Sequence, residues 1–389
     1  MITKFNDLEC QQRRIRSQLE KNILAVLDHG KYIMGPEIEI LEKQLADFTG
    51  VKNAISCASG TDALLLSLMA QGIGPGDIVF TSPFTFIATA EVIQLLGAVP
   101  VFVDIDPTTF NIDPGKLLKA ISAITTGESS GHPLPQGLSK NCKPKAVIAV
   151  DLFGLPADYM AINRIAQDHN LFVIEDAAQS FGAEYQGKKA CSLANVGCTS
   201  FFPAKPLGCY GDGGMCFTND DEMAAVIESI RVHGKGTDKY DNIRIGINGR
   251  LDTIQAAVLL AKMSIFAEDI ELRQQVARRY QKLFSGIDSL TIPQEPADCK
   301  SVWAQFSILA RDTEQRDHIQ KELNKMDIPT AIYYPKPLHQ QKAFAHLGYQ
   351  KGSFPASEDA AGRILSLPMH PYLEASQQEL ITESISLAI

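Results

Sequence analysis

The chain has 389 residues, of which 45% are hydrophobic, so it is long enough to bury a core and to form two domains. A net charge of −9 without a basic stripe argues against nucleic acid as a partner. The eight cysteines contain no C-x-x-C pair and the eight histidines no H-E-x-x-H motif, so we predict neither a metal site nor a disulfide framework. The amino terminus lacks an apolar signal core, and no uncharged apolar run of about 18 residues follows, so we expect a cytoplasmic protein with no membrane partner.

Helices and strands are predicted to alternate along the first half of the chain. The predicted helices cover residues 19–27, 37–48, 63–70, 88–96 and 160–169. The predicted strands cover residues 54–57, 78–80, 99–103, 146–150 and 171–174. Because such alternation produces parallel strands joined by crossover helices, we expect an α/β domain with a mostly parallel sheet. The Gly-, Ser- and Pro-rich stretch 125–143 is predicted to be a surface loop.

The turn after the first predicted strand favours binding of an anion. It contains Ser59, Gly60, Thr61 and Asp62, all of which suit the amino terminus of a helix. The free backbone N–H groups and positive dipole end of such a terminus form a phosphate site. Ordinary N-capping by Ser59 or Thr61 explains the same residues equally well. A nucleoside triphosphate is not indicated, because the chain has no G-x-x-x-x-G-K motif.

Two further positions follow predicted strands. Asp176 and Gln179 come after the strand at 171–174, where the carboxyl ends of parallel strands bind ligands. If the ligand carries a pyridine ring, as pyridoxal phosphate does, an ionised Asp176 would keep the ring nitrogen protonated. Helix capping is the common alternative role for an aspartate. Phe86, in a turn after the strand at 78–80, could cover a flat ring, but packing in the core is the commoner role of a phenylalanine.

A single lysine lies in a tight turn of small residues, Ser200-Phe-Phe-Pro-Ala-Lys205-Pro-Leu-Gly-Cys-Tyr-Gly-Asp-Gly-Gly214. A solvated lysine is unusual in such a turn unless its amine is used. Burial lowers the pKa of an amine, so that it can condense with an aldehyde as a Schiff base, which is how pyridoxal phosphate (PLP) is anchored. Ser200 carries a hydroxyl that could hold a phosphate. The alternative is a Gly-rich surface turn with an incidental lysine.

The rest of the chain is predicted to form a second, smaller domain. A long helix from Thr253 to Leu283 leads out of the first domain, and a strand at 304–309 and a helix at 312–326 follow. Tyr334 and His339 lie in a Pro-rich irregular loop and could border a ligand, although plain packing explains them as well. We expect an N-terminal segment at 1–20 that packs near the small domain, a large domain at 21–262 and a small domain at 263–389.

Five motifs occur together in an order and at intervals typical of one family. They are Ser59-Gly-Thr-Asp-Ala-Leu64, Pro83-Phe-Thr-Phe86, Glu175-Asp-Ala-Ala-Gln179, Ser200-Phe-Phe-Pro-Ala-Lys205 and Gly249-Arg-Leu-Asp252. Over most of its length the chain thus resembles the DegT/DnrJ/EryC1/StrS sugar aminotransferases. The resemblance implies a fold-type I, aspartate aminotransferase-like subunit. Such a subunit has a large domain with a mostly parallel seven-stranded sheet, a smaller C-terminal α/β domain, and two active sites shared across a homodimer.

The resemblance also implies a role for each candidate residue. Lys205 would form the Schiff base with PLP, and Asp176 would pair with the pyridine nitrogen. Gln179 would bind the ring hydroxyl, and Phe86 would stack on the ring. The phosphate would be held by Gly60, Thr61 and Ser200, with Asn248 of the neighbouring subunit.

Within the family, the chain most resembles the enzymes that aminate UDP-2-acetamido-2-deoxy-3-keto-glucuronic acid for O-antigen synthesis. The motifs are Arg231-Val-His-Gly234, the stretch 244–252 and Ser366-Leu-Pro-Met-His-Pro-Tyr372. This implies L-glutamate as amino donor, a nucleotide-linked keto sugar as acceptor, and a clamp on the sugar carboxylate by Arg250 across the dimer. A structural salt bridge is the alternative for Arg250. Tyr333-Tyr334 departs from the His-Tyr pair that this subgroup often has.

Two other functions stay open at this stage. An aminotransferase for a 4-keto-6-deoxy or 3-keto-6-deoxy nucleotide sugar would have no substrate carboxylate for Arg250. A non-catalytic PLP-binding regulator would not need Lys205, Asp176 and Gln179 together, because binding alone requires no electron sink. Lys205 also argues against the related sugar dehydratases, which carry histidine at that position.

Overall fold

A seven-stranded sheet forms the centre of the computed structural model, which describes residues 3–127, 131–238 and 240–389. The strands are β1 (Asn53–Cys57), β2 (Asp77–Thr81), β3 (Val99–Phe102), β4 (Lys143–Val150), β5 (Phe172–Asp176), β6 (Glu184–Tyr185), β7 (Lys188–Lys189), β8 (Val196–Ser200), β9 (Gly214–Thr218), β10 (Cys299–Lys300), β11 (Phe306–Leu309) and β12 (Ile364–Leu367). The central sheet has the order β1-β9-β8-β5-β4-β2-β3, and only β9 runs against the other six strands. The predicted α/β fold with a mostly parallel sheet is confirmed.

Helices cover both faces of this sheet and connect it to the rest of the chain. They are α1 (Leu8–His29), α2 (Pro36–Thr49), α3 (Gly60–Ala70), α4 (Ala88–Leu95), α5 (Pro114–Thr126), α6 (Tyr159–His169), α7 (Asp221–Arg231), α8 (Thr253–Leu283), α9 (Thr313–Lys325), α10 (Pro355–Arg363) and α11 (Ala375–Leu387). Short 3-10 helices cover Leu152–Gly154, Leu338–Gln340 and Lys342–Leu347. One layer of the core lies between α3, α7 and the sheet, and the opposite layer is filled by α5 and α6.

The first helix is much longer than the predicted 19–27. It begins after Asp7, whose carboxylate accepts a hydrogen bond from the Cys10 N–H at 3.0 Å, and it ends at Gly30, where φ is +68°. Its buried residues include Ile15 and Leu19, so the apolar face extends through the Arg-rich first half. Each of the three arginines there pairs with a glutamate, two of them within the same helix.

A two-stranded antiparallel sheet, β11 with β12, forms the centre of the carboxyl-terminal part. The second half of α8 packs there with α9 and α11 around a cluster that includes Tyr280, Phe306 and Ile381. The predicted long helix is confirmed as α8, which passes without a break through the predicted domain boundary at 262/263. That boundary stays a prediction. Of the predicted N-terminal segment, Phe5 accepts a backbone hydrogen bond from Met369 at 3.2 Å.

The stretch predicted as a surface loop at 125–143 is only partly a loop. Its first two residues belong to α5, and residues 128–130 lie outside the described residues. Beyond them, His132 is buried, and the Gln136 N–H donates to the Leu347 carbonyl at 2.8 Å. This part of the predicted loop therefore packs on the 3-10 helix at Lys342–Leu347, a contact that no sequence pattern indicated.

Within the described ranges, no helix is long and apolar enough to cross a membrane. All eight cysteines are free thiols, and five of them are buried.

Candidate active site

The carboxyl ends of the parallel strands bring the predicted polar residues to one edge of the sheet. Ser59 follows β1, Asp176 ends β5 and Ser200 ends β8. β5 and β8 are neighbours, with Asp176 in register with Cys198. Because open α/β sheets bind ligands at this edge, residues distant in sequence meet here in one site.

The turn between β1 and α3 packs closely against the end of β8. A Cβ atom on Gly60 would lie 2.6 Å from the Cβ of Ser200, and one on Gly214 would lie 2.3 Å from the Ser59 carbonyl oxygen, so neither position has room for a side chain. The Ser59 hydroxyl accepts a hydrogen bond from a backbone N–H of the first helical turn at 3.0 Å. N-capping by Ser59 is thus present, and the N–H groups of Gly60 and Thr61 remain at the positive helix end. Together with the Ser200 hydroxyl they could hold an anion, and we call these groups the anion cradle.

Asp176 is a buried carboxylate with two hydrogen-bond donors. Its Oδ2 accepts from the Thr89 hydroxyl at 2.8 Å, and its Oδ1 accepts from the Ala178 N–H at 3.3 Å. Burial raises the pKa of the Asp176 carboxyl, while the Thr89 and Ala178 donors and the positive charge of Lys205 oppose that rise. A carboxylate has about four lone-pair sites, so Asp176 keeps room for a further donor.

Lys205 lies in a loop closed by backbone hydrogen bonds. The Phe201 N–H donates to the Gly213 carbonyl at 2.7 Å, and the Cys209 N–H donates to the Phe201 carbonyl, also at 2.7 Å. Burial lowers the pKa of the Lys205 ammonium, and the negative charge of Asp176 opposes this shift. More of this amine is therefore unprotonated at a given pH than in an ordinary lysine, which makes it a nucleophile.

Gln179 and Phe86 meet at Tyr334. The Gln179 Nε2 donates to the Tyr334 hydroxyl at 3.1 Å, and its Oε1 accepts from the Phe153 N–H at 2.7 Å. The Phe86 and Tyr334 rings have centroids 6.5 Å apart, and the Phe86 side chain is 57% exposed. An exposed aromatic face therefore stands beside the amide, as a stacking residue requires. The structure brings Tyr334 from the carboxyl-terminal part to this same site.

Asn248 and Arg250 line a neighbouring cleft of about 420 Å³, together with Ala58, Gly211 and other residues. The cleft adjoins the anion cradle, because the Ala58 N–H donates to the carbonyl of residue 249 at 3.0 Å. Among the described residues, the Arg250 Nε is buried without a hydrogen-bond partner. Within the described part of the chain, neither Asn248 nor Arg250 forms a hydrogen bond or ion pair with Asp176 or Lys205.

His339 is not brought to the site. Its side chain is fully buried, and its Nε2 lies 3.0 Å from the Glu358 carboxylate. Its ring packs on Phe354 with centroids 4.8 Å apart. Burial lowers the pKa of the imidazole, although the contact with Glu358 opposes that shift. The packing alternative, rather than a ligand contact, describes this histidine.

Sequence reasoning missed Thr89. This residue lies in the first turn of α4, within the predicted helix at 88–96, and a threonine there normally indicates only a helix start. The available clue was its position three residues after Phe86, in the turn that leads into α4. Its contact with Asp176 depends on the pairing of distant strands, which the local sequence does not encode.

Comparison with known proteins identifies the family of this chain. The model of the DegT/DnrJ/EryC1/StrS aminotransferase family matches residues 13–386. The chain belongs to this family. One DegT/DnrJ/EryC1/StrS relative, the UDP-2-acetamido-2-deoxy-3-oxo-D-glucuronate aminotransferase of Pseudomonas aeruginosa, is 47% identical over 385 residues, which cover 99% of this chain and 100% of that protein.

Two solved structures are similar along almost the whole chain. A DegT/DnrJ/EryC1/StrS aminotransferase from Brucella abortus is 48% identical, with a TM-score of 0.92 and 98% of each chain covered. NtdA from Bacillus subtilis, solved with bound cofactor PMP, is 30% identical, with a TM-score of 0.84, 96% of this chain covered and 82% of that one. This DegT/DnrJ/EryC1/StrS member is therefore a sugar aminotransferase that uses PLP.

The residues at the sheet edge fit PLP. The glycine-lined cradle at α3 suits a phosphate, since a side chain at Gly60 would collide with Ser200 and one at Gly214 with the Ser59 backbone. The spare lone pairs of Asp176 suit a protonated ring nitrogen, and Lys205 offers an amine for the aldehyde. The cradle N–H groups, the Asp176 carboxylate and the Lys205 amine thus match the phosphate, the ring nitrogen and the aldehyde of the cofactor, in that order.

Proposed function

We propose that this enzyme transfers the amino group of L-glutamate to the 3-keto group of UDP-2-acetamido-2-deoxy-3-keto-D-glucuronic acid, for the synthesis of O-antigen or a similar polysaccharide. The observation that carries the proposal is the 47% identity, over 99% of this chain, to the Pseudomonas aeruginosa enzyme named for that sugar. In the complete reaction, glutamate leaves as 2-oxoglutarate and the keto sugar leaves as an amino sugar. A cytoplasmic location belongs to the proposal and is supported by the eight free thiols.

The proposed cofactor site uses the cluster at the sheet edge. Lys205 binds the PLP aldehyde, and Asp176 pairs with the ring nitrogen. Gln179 binds the ring hydroxyl, and Phe86 covers one face of the ring. The phosphate is assigned to the anion cradle of Gly60, Thr61 and Ser200, and to Asn248 of the neighbouring subunit.

Proton transfer is assigned to Lys205. Its Nζ, freed when the amino donor takes its place, removes the proton from the donor's α-carbon, a role supported by the lowered pKa of this amine. Bound PLP supplies a protonated pyridine ring that takes up the electron pair released with that proton. Asp176 keeps the ring nitrogen protonated, and the buried Thr89 donor favours the charged state of Asp176. Lys205 returns a proton when the keto sugar is aminated.

A homodimer with shared active sites completes the proposal. It is supported by the buried Arg250 Nε, which has no hydrogen-bond partner within the described part of the chain. It is also supported by exposed apolar side chains: Phe202 is 52% exposed, Ile243 58% and Ile245 86%. In this arrangement Arg250 reaches the sugar carboxylate bound to the other subunit, and Tyr334 contacts the sugar from its own subunit.

The first test is the absorption spectrum of the purified protein before and after addition of L-glutamate, without sugar. We expect a yellow PLP–lysine form that fades as the amine form accumulates. A yellow protein that ignores glutamate would require another amino donor, and a protein that takes up no PLP would contradict the assignment of the site.

The competing substrate class is a neutral 4-keto- or 3-keto-6-deoxy nucleotide sugar. Arg250→Ala is expected to lower kcat/KM for the keto-uronic acid by roughly tenfold to a hundredfold, because a bidentate charge pair is lost. It should change kcat/KM for neutral keto sugars little. Arg244→Ala, on the same segment, is the matched control for lost positive charge. Equal losses with both sugar classes would contradict a carboxylate clamp and favour the neutral substrate.

A further inference from the structure

The turn that leads from Phe86 into α4 joins Asp176 to the face of the site that carries Phe86. Thr89 is 1% exposed, and its hydroxyl lies 2.8 Å from the Asp176 Oδ2. The Thr89 N–H donates to the Phe86 carbonyl at 3.3 Å, which closes the turn between them. The backbone turn from Phe86 into α4 thus presents both the exposed aromatic ring and the hydroxyl that contacts the acid.

The direction of these hydrogen bonds follows from counting hydrogens. A threonine hydroxyl has one hydrogen, and an ionised carboxylate only accepts, so Thr89 must donate to Asp176. The Thr85 hydroxyl lies 3.1 Å from that of Thr89, and Thr85 is 3% exposed. Since the only hydrogen of Thr89 is already used, Thr85 must donate to Thr89. A buried chain of two hydroxyls therefore ends on the carboxylate.

The contacts of Asp176 leave Thr89 as its only side-chain donor among the described residues. The other donor is the Ala178 N–H, at the longer distance of 3.3 Å, and it binds the other oxygen. Loss of the Thr89 hydroxyl would leave Oδ2 buried without that donor. A buried carboxylate in that condition is less stable in its charged form and freer to rotate.

We propose that Thr89 is a positioning residue for the cofactor ring. Its hydroxyl fixes the ionised Asp176 carboxylate toward the ring nitrogen. Through the turn that it shares with Phe86, Thr89 also aligns the acid with the face on which the ring stacks. The proposal rests on the proposed PLP site. Thr89 has no contact with substrate in this role and acts through Asp176. The effect should consequently depend on the ring nitrogen itself.

The test compares Thr89→Val, which keeps the shape but removes the donor, with Thr89→Ser, which keeps the donor. Apo proteins are titrated with PLP and with 1-deaza-PLP, whose ring has a C–H group in place of the nitrogen. Thr89→Val should weaken PLP binding by roughly tenfold to a hundredfold, as expected for a lost hydrogen bond to a charged group. Its affinity for 1-deaza-PLP should match that of the unchanged protein, and Thr89→Ser should stay within about threefold for both cofactors.

Equal loss of affinity for PLP and 1-deaza-PLP in Thr89→Val would overturn the proposal, because a purely structural defect does not distinguish the two rings. Unchanged PLP affinity in that variant would overturn it as well. If Thr89→Val does not fold, Thr89→Ala replaces it in the same comparison and must give the same difference between the rings. Failure of the unchanged protein to bind PLP would contradict the proposed function itself, so the two failures are distinguishable.

Discussion

At the residue scale, the reactivity of Lys205 depends on two opposing influences. Burial lowers the pKa of its ammonium, and the charge of Asp176 raises it. Because the unprotonated amine is the species that attacks an aldehyde, capture of PLP should increase as the pH rises through the pKa of Lys205. The lowered pKa moves that midpoint below the ordinary lysine value of 10.5.

The capture rate of PLP by the apo protein can be divided by the capture rate of PLP by Nα-acetyl-lysine. We expect this ratio to be largest at pH values below the ordinary lysine pKa and to fall as the pH approaches that pKa. Asp176→Asn removes the charge that raises the pKa and should move the midpoint to a still lower pH. Stopped-flow absorbance across a pH series measures both. Lys205→Ala should form no yellow adduct and catalyse no transamination, whereas Lys188→Ala, at an exposed lysine, serves as the control. A midpoint at or above that of free lysine would contradict the effect of burial.

Single residues also show where sequence reasoning reached its limit. Lys205 could be proposed because a lysine is unusual in a turn of small residues, whereas Asp176 and Gln179 were proposed from their position after a strand and from the family motif. His339 could not be separated from a ligand residue, since its burial against Phe354 depends on the packing of the carboxyl-terminal part. Thr89 was missed for the related reason that its partner, Asp176, lies on a strand far along the chain.

At the scale of elements, the anion cradle depends on close contact between the β1–α3 turn and the end of β8. Gly60→Ala would place a methyl group 2.6 Å from the Ser200 Cβ, so one of the two segments must move. We expect PLP affinity to fall at least about tenfold, because the helix N–H groups and the Ser200 hydroxyl would no longer converge.

Gly74→Ala is the matched control for that substitution, because its new Cβ would have no neighbour closer than 4.0 Å. Equilibrium titration of the apo variants with PLP gives the comparison, and titration with pyridoxal, which lacks the phosphate, shows whether the loss is specific to the cradle. A Gly60→Ala protein that binds PLP normally would disprove the assignment of the phosphate to this turn.

The elements themselves were predictable where the pattern was local. Alternating apolar strands and helices gave β1 to β5 and the parallel arrangement, and the long apolar repeat gave α8. No pattern revealed β8 and β9, because these strands flank the Gly-rich turn and look like its extension. The antiparallel direction of β9 likewise depends on which strands it pairs with, and the alternation of residues along a single strand does not encode that pairing.

At the scale of the whole molecule, the proposed dimer makes each active site a product of two chains. The proposal places Lys205 of one subunit and Arg250 of the other in the same site. A dimer of one Lys205→Ala subunit and one Arg250→Ala subunit therefore has one site with both residues unchanged and one site with both replaced. Random mixing of equal amounts should then restore about a quarter of the activity on the keto-uronic acid, since half the dimers are mixed and each holds one intact site.

The mixing experiment uses proteins that are refolded together or co-expressed, followed by assay against the unmixed variants. Co-expression of two copies of Lys205→Ala is the control for dilution and handling. Recovery no greater than the sum of the separate variants would contradict sharing of the site, even if the protein proves dimeric.

The position of β1 at the edge of the sheet has a consequence for synthesis of the protein. Among the described strands β1 pairs only with β9, which lies far along the chain, so the backbone edge of β1 that faces β9 stays unpaired until residue 218 has left the ribosome. The same pairing brings Gly214 against the Ser59 carbonyl. A nascent chain that stops before β9 therefore carries an open strand edge, and its β1–α3 turn lacks the strand that packs against it in the folded protein.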